Sequence, residues 1–574
     1  MKKKSYLIIR TVGTVIAVFN LLMFYAMRPC WSGISSTLGY KNGSSAFLYY
    51  FPVILCILFL LIMLADLILK AIFPDKNWLH ITFLSVSGVF LLCIFVIIIM
   101  GAKDYMRFIW PKFFKNLAFA AVILLLYFFL FIYPKTKLKD NKPFKFATLG
   151  LAGAISIGIL VNFSINRISY KPVVYAVEKN YQIVFSSSSE STGWLEIGDK
   201  TYYDAYAGTT KKFSKVHKIE VPMTELDSAK KYTIHVRKSI YCGPFGGFLG
   251  RDIAQTVEFK PVDSSDGIQY LSFSDIHMND WQTEKTASFV KNYDFLILAG
   301  DAVSDVETFE DANFINKVAN KITGGSVPVV YARGNHDVKG RYAEQTSKFT
   351  GSKDDKFYYN FYFDNVYGVV LDLGEDHNDD WWEFYGTAHY DEYRQEQVKF
   401  LQDEIAKHEY DAYQYHLAAC HIPITFVNKR LDHEEIKAEL TGLLNQMNIH
   451  MLVCGHQHDL MIFEPGLITP NEKLHYNPEY KKEEKPCKGY LTDFNFPSFM
   501  VSKPGFTFKD EPSLSSARSH IGLFTNVDLT ARKETMYYLN SKGEKVDLMN
   551  MWAEKHYGSE ITINLDNTKD WEYK

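Results

Sequence analysis

Five short segments of the sequence each end an apolar run with residues that can bind a metal ion. In chain order they read FSDIHMND, LILAGDAVSD, VVYARGNHDV, LAACHIPI and MLVCGHQHD. Side chains of an extended segment alternate between two sides, so the paired residues of DIH and of HQH point the same way. The candidate functional residues of the five segments are Asp275, His277, Asp301, Asn335, His336, Asp337, His421, His456 and His458.

The chemical types of these residues indicate which metals they suit. Carboxylate, imidazole and amide ligands without clustered thiolates favour Mn, Fe, Zn or Ni over Ca or a structural zinc. The segments offer seven candidate metal ligands, which is more than one tetrahedral metal site can hold. Two ions that share a bridging carboxylate are therefore the economical interpretation. Two ions about 3.5–4 Å apart can clamp the oxygens of an in-line displacement at phosphorus. One segment alone would more often be structural, but all five together predict this chemistry.

From Asp266 onward the hydrophobic pattern predicts strands that alternate with helices. The predicted strands are 268–273, 295–298, 328–331, 366–371, 418–420 and 451–453, and helices between them include 307–322 and 393–406. This alternation indicates an α/β core in which the loops at the carboxyl ends of the strands gather at one edge. The five segments lie in those loops, so we expect them to form one site.

The order DxH, GD, GNHD, H and GHxH resembles that of the calcineurin-like metallophosphoesterases over about residues 266–505. The family fold is a β-sandwich flanked by helices, with a two-metal site at its strand ends. The resemblance implies one metal held by Asp275, His277 and His458. It implies a second held by Asn335, His421 and His456, with Asp301 as the bridge.

The same resemblance implies a reaction. A metal-bridging hydroxide would attack phosphorus, with His336 near the leaving group as general acid or as a stabiliser of developing charge. Asp337 would orient His336. The predicted activity is a metal-dependent hydrolysis of phosphoric esters, and the ligand set leaves monoesters and diesters both open.

Residues 172–262 contain short alternating runs separated by turn residues, which is the spacing of a β-sandwich. Leu226, Tyr232 and Val236 resemble the tyrosine corner of fibronectin type III domains. Purple acid phosphatases also place such a domain before the catalytic one. They carry a tyrosine ligand three residues after the bridging aspartate, where this chain has Ser304. An Fe(III)–tyrosinate centre is therefore not expected.

The first 165 residues hold five long apolar stretches, at 6–27, 46–69, 81–100, 117–133 and 146–165. A membrane-spanning helix needs about 20 apolar residues, so these stretches predict a five-helix transmembrane domain. The lysines of the last loop before the fifth stretch favour a cytoplasmic N-terminus. With an odd number of helices, the chain after residue 165 lies on the opposite side from the N-terminus, which predicts a cell-membrane protein with an extracellular catalytic domain. A miscount by one helix would place the catalytic domain inside the cell.

The predicted multi-domain organisation is a transmembrane domain (1–165), a fibronectin type III-like β-sandwich (172–262), an α/β metallophosphoesterase sandwich (266–530), and C-terminal strands with a tail (531–574). The net charge of −3 and the pI of about 6.6 give no reason to expect a nucleic-acid partner. Membrane attachment makes a lipid-linked or cell-wall phosphate an attractive substrate.

Two other classes of function compete with the hydrolase. The chain could be a non-catalytic metal-binding sensor or accessory module of a membrane protein, or a transporter with an exterior domain. The intact ligand set, with His336 present, argues against a degenerate module. The membrane segments lack the paired charges and matching broken helices of a transporter.

Two features near the predicted site are open to more than one interpretation. Arg333 could meet a phosphate or pair with a carboxylate. The segment LGEDHNDDWWEFYG (373–386) could form an aromatic wall near the substrate or pack on its own domain. Its Glu375, Asp376 and His377 are not needed as ligands, because the metal count is already met.

Overall fold

In the computed structural model, the described part of the chain is residues 166–574 without 207, 244–245, 382–383, 426–433, 459, 467–492, 502–520, 547 and 551–554, plus scattered positions between 65 and 157. The five predicted membrane helices lie almost entirely outside these residues. Among the residues that are described, no helix is both long and apolar enough to cross a membrane. Asn166–Lys574 forms one compact unit.

The strands of this unit are numbered in chain order. The first eight are β1 (Ile168–Val177), β2 (Asn180–Ile197), β3 (Lys200–Tyr203), β4 (Ala205–Tyr206), β5 (Thr210–Lys211), β6 (Ser214–Pro222), β7 (Lys231–Gly243) and β8 (Gly246–Glu258). The next nine are β9 (Ile268–Phe273), β10 (Phe295–Ala299), β11 (Pro328–Ala332), β12 (Tyr359–Phe363), β13 (Val366–Val370), β14 (Tyr415–Ala419), β15 (Met451–Cys454), β16 (Ile462–Phe463) and β17 (Ser498–Met500). The last six are β18 (Gly522–Asp528), β19 (Lys533–Leu539), β20 (Leu548–Asn550), β21 (Lys555–Gly558), β22 (Ile561–Asn564) and β23 (Asn567–Tyr573).

The helices of the described residues are fewer than the strands. The α-helices are α1 (Met223–Ala229), α2 (Asp280–Ala287), α3 (Phe309–Thr323), α4 (Tyr390–Lys407) and α5 (Glu434–Gln446), and 3₁₀ turns cover Ala343–Lys348 and Glu409–Ala412. Helix α3 begins at a capping box, in which Thr308 and Asp311 each accept a backbone N–H of the other. Both predicted helices are present, as α3 and α4.

Two sheets form the framework of the unit. The larger has the order β23-β22-β19-β18-β9-β10-β11-β1-β2-β7-β8, with β3 and β6 paired to β2, and the smaller has the order β12-β13-β14-β15-β17-β16. Strands β9, β10 and β11 are parallel to one another, as are β13, β14, β15 and β17. Their buried, apolar sequences suit parallel strands, which are covered on both faces.

The main core lies between the two sheets. Tyr270 and Ile297 of the larger sheet belong to one buried cluster with Tyr415, Leu417 and Val453 of the smaller sheet. A second cluster joins the other face of the smaller sheet to helices α4 and α5. The predicted α/β sandwich with flanking helices is confirmed.

The segment predicted as a separate β-sandwich, 172–262, is continuous with the larger sheet. Strand β1 pairs in parallel with β11, with Val174 opposite Pro328. The Tyr232 hydroxyl donates to the carbonyl oxygen of Gly325 at 2.8 Å. A tyrosine corner bonds back to the chain a few residues upstream, so that interpretation of Tyr232 is wrong. Its hydroxyl instead ties β7 to the turn before β11.

Three strands of residues 531–574 also belong to the larger sheet, whereas β20 and β21 pair in a separate two-stranded sheet. Strand β19 pairs with β18, β22 with β19, and β23 with β22, all antiparallel. These strands extend the edge opposite to β1. The predicted C-terminal segment thus supplies sheet strands up to Tyr573.

Candidate metal centre

The five sequence segments follow five strands whose carboxyl ends meet. The DIH, GD and GNHD segments come directly after β9, β10 and β11, which are neighbours in the larger sheet. His421 follows β14, and His456 and His458 follow β15, its neighbour in the smaller sheet. Parallel strands present their carboxyl ends at one edge, where sites form. Both sheets contribute loops to the same place.

Four of the predicted ligands form a first group. Suitable ligand atoms of Asp275, His277, Asp301 and His458 all lie within 4.8 Å of one another. The Nε2 atoms of His277 and His458 are 2.9 Å apart. His458 Nε2 is 3.2 Å from Asp275 Oδ1, and His277 Nε2 is 3.7 Å from Asp301 Oδ2.

The other three predicted ligands form a second group beside Asp301. Asn335 Oδ1 is 3.2 Å from His421 Nε2 and 3.1 Å from His456 Nδ1. His421 Nε2 is 3.1 Å from Asp301 Oδ2. The same Asp301 oxygen therefore lies beside both groups, which is the position of a bridging ligand.

The donor set fits two divalent cations. Asp275 Oδ1 is buried and, among the described residues, no hydrogen bond of good geometry satisfies it; His458 Nε2 lies 3.2 Å away, as a second ligand of the same ion would. The Nε2 atoms of His277 and His458, 2.9 Å apart, are close enough to face one ion. Oxygen and nitrogen ligands of this kind suit transition-metal ions. The first position would be held by the first group and the second by Asn335, His421 and His456.

Five of the seven ligand residues have left-handed backbone. Their φ angles are positive, from 42° to 78°, at Asp275, His277, Asp301, His456 and His458. Each such residue costs about 1–3 kcal/mol and persists only where its surroundings hold it. Here Asp275 N donates to Gly300 O at 3.1 Å, and His456 N donates to Asp275 Oδ2 at 3.0 Å. The ligands thus hold one another in place.

Glycines allow these loops to approach closely. A Cβ atom on Gly334 would lie 2.2 Å from both the backbone nitrogen and the Oδ1 atom of Asp301. Gly300 has φ +86°, and a Cβ there would lie 2.6 Å from the His421 ring. The glycines of GD and GNHD are therefore needed for the ligands to converge.

The pKa values of the two ligand carboxylates, Asp275 and Asp301, are both lowered. Burial opposes the ionisation of Asp275, but contact with His458 holds its pKa below the ordinary value. Burial acts in the same way on Asp301, and His421 and His336 hold its pKa well below the ordinary value. Burial alone would lower the pKa of His421, but Asp301 raises it to about 10. Two buried negative charges therefore create a potential that favours cations.

His336 lies at the edge of the site. Its ring meets that of His277 edge-on, with centroids 4.9 Å apart. Its Nδ1 donates to the carbonyl oxygen of Ser304 at 2.6 Å, because a carbonyl can only accept. The neutral ring therefore keeps its lone pair on Nε2. Burial lowers the pKa of His336 to about 4.

The predicted role of Asp337 is wrong. Its Oδ2 accepts from the backbone N–H groups of Asp301 (3.1 Å) and Gly334 (3.0 Å) and from the Tyr331 hydroxyl (2.9 Å). The side chain is fully buried and clamps the GD loop to the GNHD loop, and the ring of His336 is oriented by Ser304. Burial, followed by the charge of Asp301, raises the pKa of Asp337 to about 7.

The structure decides one of the two open interpretations near the site. Arg333 pairs with a carboxylate, since its Nε and Nη2 are 2.8 and 2.7 Å from Asp372 Oδ2, and it stacks over Phe357 at 4.2 Å. In the acidic loop after β13, His377 stacks on Trp381 with ring centroids 4.1 Å apart.

Sequence reasoning set aside two residues that contact ligands. Glu375 Oε1 accepts from Asn335 Nδ2 at 3.1 Å, and Asp376 Oδ2 lies 3.1 Å from His456 Nε2. Both residues follow soon after the predicted strand 366–371, at the same carboxyl edge as the ligands. This position is the sequence signal that could have identified them as part of the site.

Comparison with known proteins agrees with this site. Residues 268–460 match the model of the calcineurin-like phosphoesterase family. Residues 268–460 are therefore similar to the domain of this family, which is generally metal-dependent and dinuclear. No curated protein matches the sequence.

Three solved structures are similar to the chain. A purple acid phosphatase from yellow lupin (Lupinus luteus) seeds shares 12% identity with a TM-score of 0.42, over 68% of this chain and 74% of that one. GAP50, the anchor in the inner membrane complex of Plasmodium, shares 13% identity with a TM-score of 0.33, over 49% and 87%. The protein TT1561 of Thermus thermophilus shares 13% identity with a TM-score of 0.25, over 48% and 99%.

Proposed function

We propose that the protein is a two-metal hydrolase of phosphate esters. The observation that carries the proposal is the shared carboxylate of Asp301. Its Oδ2 is 3.1 Å from His421 Nε2 in one ligand group and 3.7 Å from His277 Nε2 in the other. A carboxylate in this position can hold two ions close enough to act on one phosphoryl group.

When bound, two divalent cations lower the pKa of a water held between them and polarise a phosphoryl oxygen. His336, held by Ser304 through Nδ1, presents Nε2 at the rim of the first ligand group. Nε2 of the neutral ring carries the lone pair, so His336 can donate to the departing oxygen only after Nε2 has taken up a proton.

We also propose that residues 1–165 anchor this domain in the cell membrane with the catalytic part outside the cell. The support is the five apolar stretches and the lysines of the loop before the last of them. On that basis a lipid-linked or cell-wall phosphate ester is a reasonable natural substrate.

The test of the hydrolase is turnover by the purified full-length chain after chelation and Mn²⁺ readdition. One chromogenic phosphomonoester and one chromogenic phosphodiester are the substrates. We expect Asp301→Asn to lower kcat/KM by roughly a factor of 100 or more, because a two-metal clamp supplies several kcal/mol of transition-state stabilisation. The ratio of the two wild-type rates defines the ester class.

Asp411→Asn is the matched control, because Asp411 is an exposed residue paired with His408. Its rates should equal those of the wild type. Metal bound without turnover of either ester would favour the non-catalytic module. Failure to bind any metal would contradict the site itself.

A further inference from the structure

Two acidic residues, Glu375 and Asp376, lie in the loop that follows β13, outside the seven ligands. Each of them contacts one ligand side chain, and both of those ligands belong to the second group, which consists of Asn335, His421 and His456. Asp376 Oδ2 accepts from His456 Nε2 at 3.1 Å, and Glu375 Oε1 accepts from Asn335 Nδ2 at 3.1 Å. The loop thus contacts two of the three side chains that would hold the second ion beside Asp301.

Each contact fixes which atom of the ligand faces the metal position. A neutral imidazole has one N–H, and a carboxylate at Nε2 of His456 keeps it there and leaves the lone pair on Nδ1. That Nδ1 is the atom directed at Asn335 Oδ1, at 3.1 Å. A carboxylate that binds Nδ2 of Asn335 likewise turns the amide oxygen inward. The side chains of His456 and Asn335 are therefore each held in the one orientation that turns a ligand atom toward the metal position.

The loop itself is held firmly. Glu375 is 1% exposed, pairs with Lys339 Nζ at 2.6 Å, and accepts from the backbone N–H of Asp376 at 2.9 Å. Arg394 of helix α4, also buried, donates to the carbonyl oxygens of Leu373 and Glu375. The buried Arg394 guanidinium therefore fixes the backbone of the loop, and the ion pair with the half-exposed Lys339 fixes the buried Glu375 carboxylate.

We propose that Glu375 and Asp376 are positioning residues for the second metal position and set its affinity, whereas the first position does not depend on them. The inference rests on the proposed two-metal function. Carboxylates that orient metal-ligating histidines commonly account for a roughly 10- to 100-fold change in metal affinity. The two positions should therefore respond differently when this loop is altered.

The experiment uses the full-length protein with Mn²⁺ as the probe. Metal content after chelation and readdition, and a calorimetric Mn²⁺ titration, are compared for wild type, Asp376→Asn and Glu375→Gln. We expect two ions in the wild type. In each variant we expect one ion of unchanged affinity and a second about 10- to 100-fold weaker. An asparagine amide at 376 can turn its NH₂ toward His456 and favour the wrong tautomer.

A spectroscopic readout separates this role from a general effect on folding. Electron paramagnetic resonance should show a coupled Mn²⁺ pair in the wild type and an isolated Mn²⁺ ion in Asp376→Asn at limiting metal. Asp379→Asn is the control from the same loop, because Asp379 accepts from the backbone N–H groups of Tyr390 and Asp391. It should keep both ions.

The outcomes distinguish the two proposals. A wild-type protein without metal contradicts the two-metal function. Two ions of unchanged affinity in both Asp376→Asn and Glu375→Gln overturn the positioning role and leave the function standing. Equal loss of the second ion in Asp379→Asn also overturns it, because loop integrity and not the ligand contacts would then be responsible.

Discussion

At the scale of single residues, the ligand loops depend on how closely their backbones approach. Gly334 lies against Asp301 with no room for a side chain, and Asp301 lies between the two ligand groups. Displacement of Asp301 would therefore disturb both ligand groups, and Asp301 keeps its position only because Gly334 has no side chain.

We expect Gly334→Ala to displace Asp301 and to abolish tight binding of both ions. The added methyl group would lie 2.2 Å from a backbone nitrogen, which cannot rotate away. Such overpacking costs about 1–3 kcal/mol of stability in addition. Mn²⁺ titration and thermal unfolding of the variant measure the two effects.

Gly250→Ala is the matched control. Its Cβ would have no neighbour nearer than 3.5 Å, which is an ordinary contact. Normal metal binding by Gly334→Ala would show that the backbone around Asp301 yields more easily than its contacts indicate.

At the scale of elements, three strands share a buried polar chain. The Tyr270 hydroxyl of β9 and the Tyr415 hydroxyl of β14 are 2.8 Å apart, and Tyr415 donates to Glu534 Oε2 of β19 at 2.7 Å. Glu534 Oε1 is buried with no hydrogen-bond partner among the described residues. Burial raises the pKa of Glu534 to about 8.

This raised pKa predicts a pH-dependent stability. The unfolded chain releases the Glu534 proton at about pH 4.3, but the folded chain keeps it up to about pH 8. Between these values the folded state binds more protons, so stability falls as pH rises, by on the order of 1.4 kcal/mol per pH unit for this group. Glu534→Gln removes the charge at nearly constant shape.

We therefore expect Glu534→Gln to become progressively more stable than the wild type between about pH 5 and pH 8, in urea unfolding. His450 stacks on Tyr415, and burial lowers the pKa of His450 to about 3 in the folded state. In the unfolded chain His450 titrates at about pH 6.5 in both proteins, so its contribution cancels in the difference between variant and wild type. A stability difference that stays constant with pH would show that Glu534 is ionised throughout.

At the scale of the whole molecule, the strands before residue 262 and the phosphoesterase strands share one sheet and one core. Tyr175 of β1 is fully buried, and its hydroxyl donates to Asn316 of helix α3 at 2.9 Å. The Tyr232 hydroxyl reaches Gly325. Without β1, the edge of β11 that pairs with it would be exposed.

We expect a chain reduced to residues 263–574 to lose cooperative unfolding, because the removed strands cover β11 and part of the common core. Thermal unfolding by circular dichroism and limited proteolysis, beside residues 166–574, make the comparison. A shortened chain with the same cooperative transition would show that the phosphoesterase part is stable alone.

The amino-acid sequence determined the strands near the site and the residues that gather at their ends. The six predicted strands 268–273 to 451–453 are present, because a short apolar run bounded by polar or turn residues is a local signal. The metal-ligand types and their order were likewise visible, and they identified the seven side chains that the structure brings together at the strand ends.

Only the tertiary structure decided which side chains contact one another. The clamp that Asp337 makes on the GD loop, the contacts of Glu375 and Asp376 with the second ligand group, and the parallel pairing of β1 with β11 all join residues far apart in the chain. Hydrophobic periodicity reports which face of a strand is buried, but it carries no information about the partner across the interface. That partner is selected by packing of the whole unit, and the hydrogen bonds of buried polar groups follow from it.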